Sequence, residues 1–259
     1  MALSTSNLLI GGVGFADTGA YSVIVSNWAG VVTSAVAVLD VTLVQNAAFE
    51  TGDFTGWTLS GDASNSFVYD GAVSGITPDL GNYAAVLTTS GSIGYLSQTL
   101  STTPELGYLL SYWFYSPSTN SGLLLVSWNG TTLLDTTNLE ANDWTKMQFL
   151  VLPTGSNTVL QFGFQVDDGF FGLDDISVVP APLEIDSVCL SGGNLVLNAS
   201  NGQSGRTYYV RTSTNLDLPL NEWTFVATNN LTVSGNFTIT VINRVSPTDP
   251  QRFYILQTQ

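Results

Sequence analysis

Nearly all of residues 108–115 are apolar or aromatic. If they form a strand, their side chains point alternately to its two faces. Successive side chains of an extended strand point to opposite faces. Tyr112 and Phe114 then share one face, while Trp113 and Tyr115 share the other. The segment predicts a strand with one face in a core and the other in a binding surface or a second apolar layer.

A hairpin is predicted directly after this strand. Residues 123–128 and 131–134 flank Asn129-Gly130, and Asn-Gly supplies the positive φ angles that a type I′ turn requires. Residues 146–152 and 159–166 predict two further strands. Ser, Thr, Asn and Gly dominate the polar residues, and capped runs of helix formers are missing. We therefore predict an all-β chain of tandem sandwiches, since 259 residues exceed one small sandwich.

The charge of the chain excludes several functions. It has 20 acidic residues, 5 basic residues and no His, for a net charge of −15. Binding to nucleic acid or attraction to anionic lipid is therefore not expected, and no apolar run is long enough for membrane insertion. Without His, Ser-His-Asp and Cys-His catalysis are excluded. Neighbouring acids in a doublet such as Asp174-Asp175 point to opposite faces of a strand, so we predict no enzyme.

The single cysteine, Cys189, has no partner for an internal disulfide. It lies in an apolar, strand-like run, residues 186–190, which predicts a buried thiol rather than a reactive one.

Residues 1–43 resemble the last strands of an immunoglobulin-like domain. Asp17-Thr-Gly-Ala-Tyr21 matches the tyrosine corner of that family, in which the Tyr hydroxyl binds the preceding loop. The resemblance places strand E at 8–10, the F–G turn at 27–30 and strand G at 31–41. Only about three of the seven strands of a full domain are present. We expect the apolar sheet to be covered by the central module or by a neighbouring chain. The residues expected in that contact are Val23, Val25, Val36 and Val38. The alternative is a chain cut from a longer polypeptide and held in shape by packing.

Residues 44–180 contain two separated motifs that resemble one family. Asn46-Ala-Ala-Phe-Glu-Thr-Gly52, with Trp57 after a further glycine, is followed much later by Gly172-Leu-Asp-Asp-Ile-Ser-Val178. Both resemble the first and last strands of galactose-binding-like jelly-roll carbohydrate-binding modules. The resemblance implies a structural Ca²⁺ held by Glu50, Asp175 and backbone carbonyls near Gly52. Trp57 is expected in the core.

Pro180-Ala-Pro182 predicts a stiff boundary before the third part, residues 183–259. In order, this part contains Gly192-Gly-Asn-Leu-Val-Leu197, Tyr208-Tyr-Val-Arg-Thr-Ser-Thr-Asn-Leu216, Trp223-Thr224 and Arg252-Phe-Tyr254. With these motifs it resembles a small C-terminal sandwich of secreted proteins from Verrucomicrobia-like bacteria. The resemblance implies a secreted or cell-surface location in a bacterium and no catalytic residue.

Sugar binding requires aromatic rings that stack on pyranose faces, with a few polar groups for the hydroxyls. Phe170-Phe171 lies between two glycines and is expected at a loop tip. We predict a non-catalytic module that binds a neutral or basic polysaccharide. The alternative is a structural or adhesive subunit that joins copies of itself through the incomplete immunoglobulin-like sheet. The candidate carbohydrate-binding residues are Tyr83, Trp113, Tyr115, Phe170 and Phe171. Tyr69 and Trp128 are further aromatic candidates, and for each ring the alternative is a place in the core.

Overall fold

The structure is a computed structural model, and it describes residues 13–28, 30–39, 41–71, 77–117, 122–166, 169–242 and 251–258. Its regular elements in this part of the chain are β-strands and two short 3-10 turns, which confirms the all-β prediction. The first turn spans Phe15–Asp17. The strands that follow it are β1 (Gly19–Tyr21), β2 (Ile24–Asn27), β3 (Gly30–Thr33) and β4 (Ala37–Leu39).

The central part is a sandwich of two five-stranded antiparallel sheets. Its strands are β5 (Thr58–Gly61), β6 (Phe67–Asp70), β7 (Tyr83–Leu87), β8 (Gly94–Ser101), β9 (Tyr108–Ser116), β10 (Leu123–Trp128), β11 (Thr131–Thr137), β12 (Asn142–Val151), β13 (Asn157–Gln165) and β14 (Phe171–Pro180). One sheet has the order β11-β10-β13-β8-β5, and the other has the order β12-β9-β14-β7-β6. We call the second one the platform sheet.

The core between these two sheets is rich in aromatic residues. Tyr112 of β9 is fully buried, and its ring meets Phe162 of β13 edge to face at a centroid distance of 5.0 Å. Phe114 is also buried, whereas Trp113 and Tyr115 are only half-buried. The alternation predicted for β9 is therefore confirmed. The Asn129-Gly130 turn is confirmed too, with φ angles of 49° and 80° between β10 and β11.

The first and last motifs of the central part lie side by side, as the resemblance implies. Leu43 N donates to the Val178 carbonyl at 3.0 Å, and Ile176 N donates to the Ala47 carbonyl at 2.9 Å. Asn46 holds the intervening loop, because its side-chain amide donates to the carbonyls of residues 53 and 55. Trp57 is buried, as predicted.

The C-terminal part forms two three-stranded sheets. Their strands are β15 (Glu184–Ser191), β16 (Asn194–Gly202), β17 (Thr207–Ser213), β18 (Thr224–Asn230), β19 (Gly235–Val241) and β20 (Phe253–Thr258), with a 3-10 turn at Leu220–Glu222. The orders are β15-β16-β19 and β18-β17-β20. Cys189 lies on the edge strand β15 and is exposed. The prediction of a buried thiol is wrong, because every residue of this edge strand is exposed.

The N-terminal strands form an antiparallel hairpin, in which β1 pairs with β4 and β2 with β3. The Tyr21 hydroxyl donates to the Asp17 carbonyl at 2.6 Å, which is the contact expected of a tyrosine corner. The expected cover by the central module is wrong for this chain, since Val23, Val25, Val36 and Val38 are all exposed. The predicted strand at 8–10 lies outside the described residues.

Candidate functional site

Three aromatic side chains cluster on the outer face of the platform sheet, away from the sandwich core. Tyr115 lies between the other two: its ring centroid is 5.5 Å from that of Trp144 and 6.3 Å from that of Phe170. All three residues are half-buried. We call Tyr115, Trp144 and Phe170 the aromatic platform. Half-buried rings in a cluster separate from the core are the arrangement expected of a stacking surface.

A β-bulge brings Trp144 to this surface. Asn142 pairs with Ser116 and Thr145 pairs with Phe114, so Asp143 and Trp144 together stand opposite Tyr115. The extra residue changes which side chains of β12 point outward. The Trp144 indole Nε1 donates to the Thr77 carbonyl at 2.7 Å, which fixes the ring over the sheet.

Gly172 of β14 leaves the room that the platform needs. A Cβ atom at this position would lie 2.9 Å from the Trp144 ring and 3.0 Å from the Tyr115 Cβ. The indole therefore rests directly on the strand backbone, and any side chain at position 172 would displace it.

Tyr69 and Val86 form the floor of the cluster, and each is only 4% exposed. The Tyr69 hydroxyl is buried and has no hydrogen-bond partner among the described residues. Burial and the neighbouring charge of Asp70 raise the pKa of Tyr69, so the hydroxyl stays protonated. A buried hydroxyl without a partner is costly, and this one lies beneath the rings that a ligand would contact.

Polar groups lie at one end of the platform. A cleft of about 390 Å³ is lined by Tyr115, Ser116, Asn142 and Asp143, among others. The Asn142 amide oxygen accepts from Ser116 N at 2.7 Å, which holds the side chain in place. Asp143 is exposed. An aromatic ring beside an amide and a carboxylate offers both the apolar surface and the hydrogen-bonding groups that bind a sugar ring.

Trp113 lies two residues along β9 from Tyr115 and points to the same face. The Lys146 ammonium group is 5.9 Å from its ring centroid. On the other side Trp113 pairs with Asp174, which is fully buried. Burial raises the pKa of Asp174 to about 7, although backbone N–H groups of Asp79, Leu80 and Asp175 stabilise the ionised form.

Of the predicted carbohydrate-binding residues, the structure places Trp113, Tyr115 and Phe170 on the outer face. The prediction of an exposed Phe171 is wrong: its ring is fully buried and packs on Phe114 in the core at 5.2 Å. Phe171 begins β14, where alternation sends it inward. Tyr83 packs against the edge of the same core, apart from the platform, and its ring faces Gly52.

Trp144 was not among the predicted site residues, because it is brought outward by a bulge that the sequence does not mark. Tyr69 was among the aromatic candidates, and the structure places it beneath the platform, in a four-residue strand with weak alternation. In the sequence, the feature that could have identified Trp144 was the Asp143-Trp144 pair, which lies just before the strand predicted at 146–152.

The predicted calcium ligands lie near the joined first and last motifs. Glu50 is exposed, and its Oε1 accepts from Asn82 N at 2.8 Å and from Tyr83 N at 3.0 Å. Burial is the largest single influence and raises the pKa of Glu50, but these two hydrogen bonds and a third from the Asn82 side chain together lower it. A cation at Glu50 would have to replace them. In the described part of the chain, no three acidic or cysteine side chains form a ready metal cluster.

Negative charge nevertheless accumulates beside this loop. Burial and the charge of Asp175 raise the pKa of Asp79, and Lys146 only partly opposes the effect. Asp175 has a left-handed backbone conformation, with φ of 46°. A divalent cation would relieve the repulsion between Asp79 and Asp175. These two carboxylates therefore fit a calcium ion better than Glu50 does, because Glu50 already accepts hydrogen bonds from the backbone.

No protein-family model matches the sequence, and no curated protein matches it either. Among the described residues, no helix is long and apolar enough to cross a membrane.

Several solved structures are similar to the chain over about half its length. TmCBM61 in complex with β-1,4-galactotriose is 20% identical, with a TM-score of 0.46, over 55% of this chain and 100% of that one. The K1 cleaved adhesin domain of Lys-gingipain from Porphyromonas gingivalis is 17% identical, with a TM-score of 0.41, over 52% and 96% of the two chains. The CBM22-1–GH10 modules of Clostridium thermocellum xylanase 10B with xylohexaose give 14% identity and a TM-score of 0.40, over 54% and 29%.

Proposed function

We propose that this chain is a non-catalytic, extracellular module that binds a neutral or basic polysaccharide through the aromatic platform. The observation that carries the proposal is the cluster of Tyr115, Trp144 and Phe170, which is half-buried and separate from the sandwich core. A purely structural layer would be expected to bury these rings against another element, as the inner face of the same sheet does.

The chemistry of the platform supports a neutral or basic ligand. Rings stack on the apolar C–H face of a pyranose, and Asn142 and Asp143 can bind its hydroxyls. A net charge of −15 disfavours uronates and sulfated glycans. Each stacking contact contributes about 0.5–1.5 kcal/mol, so the three rings of one module should bind only weakly, with a Kd on the order of 1 mM.

Affinity electrophoresis of the full chain through gels containing galactan, xylan, chitosan or polygalacturonate tests the ligand class. We expect retardation by a neutral or basic polymer, none by polygalacturonate, and loss of retardation in Tyr115→Ala. A chain that none of the neutral and basic polymers retards, or a Tyr115→Ala variant that is still fully retarded, would refute the proposal.

We also propose a structural calcium near Glu50 and Asp175, with carbonyls near Gly52 in its shell. The like charges of Asp79 and Asp175 support it, because Asp175 raises the pKa of Asp79 and a bound cation would relieve their repulsion beside the last motif. The ion would join the loop at Glu50 to the start of the last strand and would take no part in chemistry.

A second candidate function is self-association through the N-terminal hairpin. Residues 18–39 contain no charged residue in a chain of net charge −15, so copies repel one another least at this segment. The apolar side chains of the hairpin are 54–72% exposed: Val23, Ile24, Val25, Val31, Val32, Val36 and Val38. Open strand edges with apolar faces favour pairing with another copy.

Light scattering of the full chain and of a version that begins at Leu43 tests this candidate. Self-association predicts a dimer or larger assembly for the full chain and a monomer for the shorter one. Two monomers at all concentrations would refute it and would leave the platform proposal unaffected.

A further inference from the structure

We propose that a second ligand site, independent of the platform, lies at the edge of the central sandwich beside Trp128 and accepts a single neutral sugar residue. The cavity of about 180 Å³ lies between the β10–β11 turn and the end of β12. We call it the edge cavity. β11 is the outermost strand of one sheet and β12 the outermost strand of the other, so the cavity opens where both sheets end.

Trp128, which lines the edge cavity, has an unsatisfied hydrogen-bond donor among the described residues. The residue is 4% exposed, and its indole Nε1 is buried with no acceptor in the part of the chain that the structure describes. Three other indoles contrast with it, because Trp57, Trp144 and Trp223 each donate to a backbone carbonyl at 2.7–3.2 Å. A buried N–H without an acceptor is costly, and a ligand oxygen that gains access to Nε1 from the cavity would recover that cost.

The turn fixes the position of this indole. Trp128 pairs with Thr131 across the hairpin and with Leu160 of β13. Asn129 N donates to the Val159 carbonyl at 2.7 Å, which ties the turn to the neighbouring strand. The cavity wall is therefore built on strand ends and does not depend on a free loop.

The lining combines apolar and hydrogen-bonding surfaces without charge. Leu150 and Leu152 stand at the mouth, 68% and 60% exposed, while Asn129, Thr131 and Thr154 supply amide and hydroxyl groups. A pyranose has the same mixture, with an apolar C–H face and a rim of hydroxyls. Sites for drug-sized ligands occupy about 300–1,000 Å³, so this smaller cavity fits one sugar ring. A charged ligand would find no counter-charge among these residues.

The indole N–H signals in a ¹H–¹⁵N spectrum of the full chain provide the test, with β-1,4-galactotriose and xylohexaose as probes. We expect the Trp128 indole proton to move downfield as its hydrogen bond forms, with a Kd on the order of 1 mM for at least one probe. The same titration should survive in Trp144→Ala, because the platform is a separate site.

Leu150→Asp and Gln148→Asp are matched variants of exposed residues on one strand and introduce the same charge. We expect Leu150→Asp to weaken the Trp128 titration roughly tenfold, about 1.4 kcal/mol, and Gln148→Asp to leave it unchanged. A Trp128 signal that moves with neither probe would overturn the proposal. So would loss of its titration in Trp144→Ala, or equal weakening by both aspartate variants.

Discussion

The two faces of the platform sheet carry similar aromatic clusters in different surroundings. On the inner face, Tyr112 meets Phe162 at 5.0 Å and is completely buried. On the outer face, Tyr115 meets Trp144 at 5.5 Å, yet both remain half-buried. Ring geometry therefore does not separate core from site. The second sheet covers the inner face, while no described strand covers the outer cluster. This difference gives the inner face its role in stability and is the reason we propose ligand binding for the outer face.

The largest expected effect is on the inner face. Phe162→Ala removes a fully buried ring that contacts both Tyr112 and Trp57. We expect a loss of about 3–5 kcal/mol in the free energy of unfolding, measured by urea denaturation. The protein that remains folded should bind glycan as before. Unchanged stability would contradict the assignment of this face as the core.

Calcium removal should have the next largest effect. If calcium at 100 times its Kd holds Glu50 and Asp175 together, EDTA lowers the unfolding free energy by about 2.7 kcal/mol, and excess calcium restores it. Thermal melting with and without EDTA measures the change, with magnesium as the control ion. A midpoint that EDTA leaves unchanged argues against the ion.

Gly172→Ala tests the outer face. The new Cβ would lie 2.9 Å from the Trp144 ring, so the ring must move. Overpacking of this kind costs about 1–3 kcal/mol of stability, and we expect glycan binding to fall more than stability does. Gly155→Ala is the matched control, because its Cβ would meet only one backbone oxygen at 3.9 Å. If Gly172→Ala binds glycan as strongly as the wild type, Trp144 is not part of the binding site.

The smallest expected effect concerns pH. Asp62 Oδ2 accepts from Ser90 N and Ser92 N, and these backbone hydrogen bonds lower the pKa of Asp62 below 3.8 in the folded state. Its stabilisation is therefore present above the unfolded pKa and is lost as the pH falls through the folded pKa. Urea unfolding between about pH 5 and pH 2 should show a shallower acid-induced loss for Asp62→Asn than for wild type. Identical slopes would show that this carboxylate contributes nothing.

Local patterns predicted much of the central sandwich. The alternation of β9 placed Tyr112 and Tyr115 on opposite faces, and Asn129-Gly130 predicted the hairpin turn. Both depend on short-range physics, namely side-chain direction and permitted φ angles. The Asp17–Tyr21 contact is of the same kind, since it closes within five residues.

Features that depend on distant parts of the chain were not predictable in the same way. Trp144 reaches the platform through a bulge and a bond to Thr77, 67 residues away. Phe171 looked exposed beside Gly172, but its strand register turns it inward. Cys189 looked buried because its neighbours are apolar, yet an edge strand leaves both of its faces open. Hydrophobicity predicts which residues can be covered, and tertiary packing decides which ones are.

The central claim is that the outer aromatic cluster binds glycan, and isothermal titration of Trp144→Ala against Trp28→Ala tests it most directly. Both variants remove an indole, but Trp28 is 99% exposed at the hairpin tip and lies apart from the platform sheet. With the polysaccharide that retards the wild-type chain, we expect Trp144→Ala to bind at least about tenfold more weakly, about 1.4 kcal/mol, and Trp28→Ala to match the wild type. Equal affinities for wild type and Trp144→Ala, with both proteins folded, would contradict the account.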